Sequence, residues 1–255
     1  MRTLEALGAS VISLCEETGR FFTYLGSVLV GTVTPPWNGR EILRQMVRVG
    51  VQSIPVVSFT AAFTGGVIAL QTYAGFARFR AEGFVGGVVA LTMLREVAPV
   101  LTALMVIARV GSSIAAELGS MRATEQIDAL VAMGTDPVKY LFVPRVIAGT
   151  MMLPLLTILA DGVSILGGRL VSIWVMDANS QQYDYSSFAY MDFRDFWSGI
   201  LKAFVFGAVF TIIACQKGFH ASGGAEGVGR ATTEGVVSAS AAIVVVDFLL
   251  TGLVF

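Results

Sequence analysis

Charge is what this chain has least of. Only 14% of its 255 residues are Asp, Glu, Lys or Arg, whereas 55% are hydrophobic. An ordinary soluble domain carries roughly 25% charged residues, so a water-exposed globule is excluded. Histidine is reduced to His220, and no H-E-x-x-H run or Cys/His cluster offers a metal site. The two cysteines, Cys15 and Cys215, stand far apart in or beside apolar segments. Without a cysteine framework, two buried thiols are expected, with a single disulfide as the alternative. No G-x-x-x-x-G-K-[ST] phosphate loop occurs, which excludes ATP hydrolysis by that route. The nearest glycine-rich stretch, GGAEGVGRATT from Gly223, lacks the lysine and reads as a turn. No catalytic constellation is present, so a non-enzymatic chain with no cofactor of its own is expected. A net charge of -1 gives no reason to expect nucleic acid. Residues 1–10 lack the basic region, apolar core and small-residue cleavage site of a signal peptide, so the first internal span is expected to direct insertion.

What is present is apolar sequence in long runs. A crossing of the hydrocarbon core takes about 20 such residues. Five segments qualify, at approximately 51–73, 84–108, 146–176, 197–215 and 236–255. Pro154 and the Gly167–Gly168 pair suggest a kink or tilt in the third. Residues 1–33 differ. Leu4, Leu7, Val11, Leu14, Phe21, Leu25 and Val28 recur at mainly three- and four-residue spacing, interrupted by Glu5, Glu16, Glu17 and Arg20. This pattern predicts an amphipathic helix in the membrane interface, the rival reading being a helix packed on the bundle. Pro35–Pro36 then turns the chain. Eleven Lys and Arg residues fall on the side of the N-terminus and three on the other, namely Arg78, Arg80 and Arg194. The excess predicts a cytoplasmic N-terminus and an external C-terminus. The expected fold is therefore an all-α integral membrane protein: an interfacial helix over 1–33, then a five-span domain over 34–255.

The segment between the second and third spans is built rather than slack. Thr124 is placed to cap a short helix over 125–133, with Glu125 and Asp128 in its first turn, where the helix dipole favours them. Gly134 supplies a stop, and Asp136–Pro137 restarts a helix. Ile127, Leu130 and Val131 share one face, available to a soluble partner or to the chain's own membrane face. This run, AELGSMRATEQIDALVAMGTDPVKYLFVPRVIAG, closely resembles the corresponding region of MlaE-type (YrbE-type) permeases. LREVAPVLTALMVIARVGSSIAAELG before it and GVGRATTEGVV after the fourth span are also similar to that family. The likeness runs from about residue 50 to the C-terminus; it is specific over 94–144 and weak over the first 40 residues and over 177–196. It implies the homodimeric membrane part of an ABC transporter of phospholipid between inner and outer bacterial membranes. Cytoplasmic ATPase subunits would bind ATP and Mg, and an external oligomer of MCE-domain proteins would handle lipid. By the same resemblance Glu125, Gln126, Ile127, Asp128, Leu130, Val131 and Met133 form a coupling helix seated on the ATPase.

Ionisable groups inside spans are costly and mark functional sites by default. Arg95 and Glu96 lie near the centre of the second span; Lys202 and Asp247 lie in the fourth and fifth. Adjacent residues on a helix point about 100° apart, so Arg95 and Glu96 must look to other helices. The expected pairs are Glu96 with Lys202 and Arg95 with Asp247, either as locks of the bundle or as a polar site for a lipid headgroup. Leu70, Tyr73, Leu91, Val97, Leu101 and Phe206 are candidate apolar cavity walls. Asp161 and Arg169 share one face of the third span, where an interhelical contact is expected. The Gly83–Gly87 pair is a candidate dimer contact. The rival function is an ion- or proton-coupled carrier or channel relaying charge through Arg95, Glu96, Lys202 and Asp247; a purely structural anchor is a third.

Overall fold

The computed structural model describes residues 2–35 and 38–254, and every regular element among them is a helix. For residues 2–11, 13, 14 and 254 only the backbone is described. Helix α1 spans Arg2–Val33, α2 Gly39–Val49 and α3 Ile54–Phe76. The second membrane helix runs continuously over Glu82–Ala123. It comprises α4 (Val85–Thr92), α5 (Ala98–Val106) and α6 (Ser112–Ala123), joined by π-helical turns at Met93–Val97 and Ile107–Gly111. Next come α7 (Gln126–Ala132), a third π turn (Val138–Phe142), α8 (Val143–Trp174), α9 (Ser180–Ala189), α10 (Phe193–Phe219) and α11 (Gly224–Val254). Among the described residues, five helices are long and apolar enough to cross a membrane.

Two helices missed or mis-bounded in sequence extend the spans at one end. Helix α2 precedes the first span, its N-cap supplied by Asn38, whose side chain accepts from the Glu41 amide. The second span continues through α6, a stretch the sequence reading assigned to a loop. Small and polar residues such as Ser112, Ser113 and Ser120 lower its hydropathy without breaking the helix.

Lipid tails give helices no hydrophobic reason to associate, so close packing of small residues holds the spans together. The sharpest case is α3 against α8. A Cβ on Gly65 would stand 2.0 Å from the Ser164 carbonyl oxygen, and one on Gly167 would stand 2.2 Å from that of Ala62. The Gly167–Gly168 pair therefore serves a backbone contact, and α8 remains one helix through Pro154. Gly83 and Gly87 are likewise covered within the chain: a Cβ on either would meet Gln182 or Tyr190, at the ends of α9 or beyond it. That surface is occupied and is not open to a second copy.

The later part of α1 packs on the bundle. Val28 is buried, Phe21, Tyr24 and Leu25 lie against the core, and Glu17 pairs with Lys217 at 2.5 Å. Phe22, Leu29, Val30 and Val33 remain exposed, so the helix carries apolar side chains on a second, outward side. Leu4, Leu7, Val11 and Leu14 of the expected stripe lie outside the described side chains, and Pro36 and Phe255 outside the described residues. Cys215 is buried and Cys15 exposed, and both are free thiols, so the expectation of two buried thiols is corrected for Cys15.

At the opposite end lies the short helix α9, capped by Asn179. Arg169 reaches it through two hydrogen bonds to Asp184, at 2.7 and 3.0 Å. Arg169 thus makes an interhelical contact, but Asp161 does not share it. Asp161 is buried, and its Oδ1 has no hydrogen-bond partner. The Arg169 hydrogen bond holds the Asp184 carboxyl below the ordinary 3.8. A lowered carboxylate value contributes stability above the unfolded pKa and loses it as pH falls through the folded one. Protection of the α9 amides against hydrogen exchange is therefore expected to hold from neutral pH to about 5 and to fall below about 4. A step of equal size in Arg169→Gln would show that the pair does not cause it.

Candidate functional site

The intramembrane charges gather around one ammonium. Lys202, on the buried face of α10, is wholly enclosed. Its Nζ donates to Glu96 Oε2 at 2.5 Å, to Thr251 Oγ1 at 2.7 Å and to the Arg95 carbonyl at 3.2 Å. Asp247 Oδ1 lies 3.0 Å away as an ion pair, without the geometry of a hydrogen bond. The Thr251 hydroxyl in turn donates to the Asp247 carbonyl at 2.8 Å. Three helices thereby meet at one cation.

The local sequence explains the arrangement. The Arg95 carbonyl would ordinarily accept from the amide four residues on, but that residue is Pro99, which has no N–H. The π turn at Met93–Val97 widens the helix here, and Lys202 supplies the missing donor. Gly199, one turn before Lys202, lets α10 approach: a Cβ there would stand 2.2 Å from the Leu94 carbonyl. Asp247 and Thr251 are four apart and share a face of α11.

The expected partner of Glu96 is found; the expected partner of Arg95 is not. Arg95 pairs with Asp195, in the first turn of α10, at 2.7 Å, and Asp247 belongs to Lys202. Asp195 and Lys202 are seven apart, two turns along one face of α10, so Arg95 and Glu96 each meet a different rung. Asp195 and the uncharged Thr251 are members of the cluster that the expected pairs do not include. The i,i+4 and i,i+7 spacings were the signals that would have found them. The cluster has a dry end and an open one: Lys202 and Asp195 side chains are 1% and 3% exposed, those of Glu96 and Arg95 38% and 40%.

The candidate walls do not converge on one cavity. Leu101 borders a narrow cleft with Val57, Thr60, Met93 and Thr102, whereas Tyr73 borders a separate cleft with Glu82, Asp177 and Gln182. Leu70, Leu91 and Val97 are half-buried, and Phe206 is fully enclosed and offers no surface.

At the other end of the bundle, α7 projects between α6 and α8. Thr124 is not its cap: the Thr124 hydroxyl donates back to the Ser120 carbonyl, closing α6. Glu125 then takes a left-handed conformation, φ 59°, and the helix proper is Gln126–Ala132, with Glu125 and Met133 as flanking caps. Gly134 at φ 75° stops it, and Asp136 Oδ1 accepts from the Val138 amide at 2.9 Å, starting the next turn. Ile127 is buried and Leu130 half-buried against the chain's own core. Val131 and Met133 are exposed at 59% and 70%, beside exposed Gln126 and Asp128. The expected single stripe is thus divided, part anchoring α7 and part left outward.

Five apolar spans, buried charges bridged between helices and a short projecting helix define a multi-pass membrane protein of permease type. The chain belongs to the MlaE permease family: the family model described as Permease MlaE matches residues 42–253. It is 43% identical over 250 residues to a probable ABC transporter permease protein of Rickettsia bellii, covering 98% of this chain and 96% of that one. It is 36% identical over 262 residues to the intermembrane phospholipid transport system permease protein MlaE of Haemophilus influenzae, covering 99% and 97%. It is also 36% identical over 230 residues to the chloroplastic protein TRIGALACTOSYLDIACYLGLYCEROL 1 of Arabidopsis thaliana, covering 90% and 66%.

Proposed function

We propose that this chain is the membrane-spanning subunit through which phospholipid passes between an inner and an outer membrane, driven by ATP hydrolysis on partner subunits. The observation that carries the reading is its likeness, along nearly the whole chain, to a permease named for intermembrane phospholipid transport. The open end of the charge cluster supports it: Arg95 and Glu96 are part-exposed in an otherwise apolar stretch, 84–108, of the second span, where a zwitterionic or anionic headgroup would find both signs of charge. Two copies would enclose the path between them, with Leu70, Tyr73, Leu91, Val97 and Leu101 among candidate contacts for acyl chains. An oligomer of MCE-domain proteins would receive or deliver lipid at the α9 end. The cation-rich end would face the cytoplasm, with α1 resting in the interface on its outward apolar side and the N-terminus inside.

ATP and Mg would be held by a cytoplasmic ABC ATPase seated on α7. Val131→Asp with Met133→Asp places charge in that contact while leaving Ile127 and Leu130 anchored. Recovery of the ATPase with the purified chain is expected to fall at least tenfold, with unchanged thermal unfolding. Unchanged recovery would place the contact elsewhere. The whole reading is tested by purifying the chain from its host in mild detergent and identifying retained proteins and lipids by mass spectrometry. An ATPase, an MCE-domain protein and phospholipid together are the expected result; a chain that emerges alone and lipid-free would favour the ion-coupled carrier.

A further inference from the structure

A second ionic node lies at the bases of the helices that carry α7. Glu117 of α6 accepts through Oε1 from Arg145 of α8 at 2.7 Å, and its Oε2 is paired with Arg48 of α2. Arg48 also donates to Ser113 of α6 at 2.6 Å. Arg109, in the π turn before α6, donates to the Arg48 carbonyl at 3.1 Å and to Ser53 Oγ at 2.8 Å, beyond the end of α2. The Arg145 side chain is 5% exposed and donates to the Leu141 carbonyl at 2.6 Å. One carboxylate therefore joins three helices, each of its oxygens accepting one charge-assisted hydrogen bond from a different guanidinium.

The topology gives this contact a direction. Helix α6 leads into α7, and α8 follows it after the π turn, so α6 and α8 are the two arms on which α7 is mounted. Glu117 braces the arms at their base and, through Arg48, ties both to α2, which leads through a short turn into α3. We propose that Glu117 is the positioning residue that makes α7, its two arms and the first span move as one body, and so transmits displacement of α7 to the membrane helices. This rests on the reading of α7 as the ATPase contact. The node takes no part in the Lys202 cluster and touches no proposed lipid path.

The test uses the complete complex with its own ATPase, reconstituted in proteoliposomes, with ATP hydrolysis and phospholipid movement measured on the same preparation. Glu117→Gln removes the charge and leaves one acceptor for two guanidiniums. Hydrolysis per complex is expected to stay within twofold of the parent while phospholipid movement falls at least tenfold, and Glu117→Asp should restore a substantial part of it. Arg48→Gln, which leaves the Arg145 pair intact, should uncouple in the same way by at least threefold, and decides the matter if Glu117→Gln does not fold. Unchanged movement in the variants would overturn the proposal. A parallel fall in hydrolysis and movement would also overturn it, since it would mark a role in folding or docking alone. Failure of the parent complex to hydrolyse ATP or move lipid would instead overturn the functional reading, and is distinguished by being present without any substitution.

Discussion

Lys202→Met is expected to destabilise the folded chain by about 3–5 kcal/mol, the cost of breaking a buried ion pair from one side. It is also expected to abolish phospholipid movement. The ammonium is fully enclosed and answers Glu96, Asp247, Thr251 and the carbonyl freed by Pro99, so its loss leaves the Asp247 carboxylate and the carbonyl without their buried partner and Glu96 without its counter-charge. Thermal unfolding in detergent reads the first effect and lipid transfer in proteoliposomes the second. The triple variant Lys202→Met, Glu96→Gln, Asp247→Asn separates them. Replacing a buried charge network with neutral groups is often close to neutral for stability, so the triple variant should regain most of the unfolding temperature. If the charges serve the lipid path, transport stays lost; if transport returns, they are bundle locks and the site lies elsewhere. A Lys202→Met chain as stable as the parent would show that the ammonium does not hold these three helices.

The second large effect concerns backbone packing. Gly65→Val is expected to cost about 3 kcal/mol, because the new side chain starts 2.0 Å from a backbone oxygen of α8, which is not the movable end of a side chain. Gly162→Ala, only two residues from Gly65's partner Ser164 in α8, has nothing within 4 Å of the added methyl. It should be neutral or stabilise by about 0.5–1 kcal/mol, since glycine in a helix interior is entropically unfavourable. Unfolding midpoints and monodisperse yield of the two variants give a direct comparison. If Gly65→Val tracks Gly162→Ala, the α3–α8 backbone contact is not what holds these spans.

Much of this was legible in the sequence. Five spans followed from apolar runs of sufficient length, because a bilayer demands internally satisfied helices and tolerates few charges. The stop at Gly134 and the restart at Asp136–Pro137 were legible because capping is a local matter of φ and one side-chain oxygen. The Glu96–Lys202 pair was inferred from charge alone, there being few partners to choose among. The Thr124 cap failed for a local reason too: its hydroxyl has a carbonyl of the preceding turn within reach, and Glu125 could absorb the turn in a left-handed conformation.

What the sequence by itself determined about this protein was its helical, membrane-spanning class, the helix stop at Gly134 and restart at Asp136–Pro137, and which residues carry charge into the bilayer. These depend on hydropathy, proline, glycine and caps acting over a few neighbouring residues. Only the tertiary structure decided that Arg95 goes to Asp195 rather than Asp247, that Gly83 and Gly87 are covered by the chain's own α9 segment, and that Glu117 is shared by Arg48 and Arg145. Pairings of that kind depend on the relative rotation and depth of helices far apart in sequence. A turn of about 100° per residue aims each side chain, but only packing fixes what stands opposite.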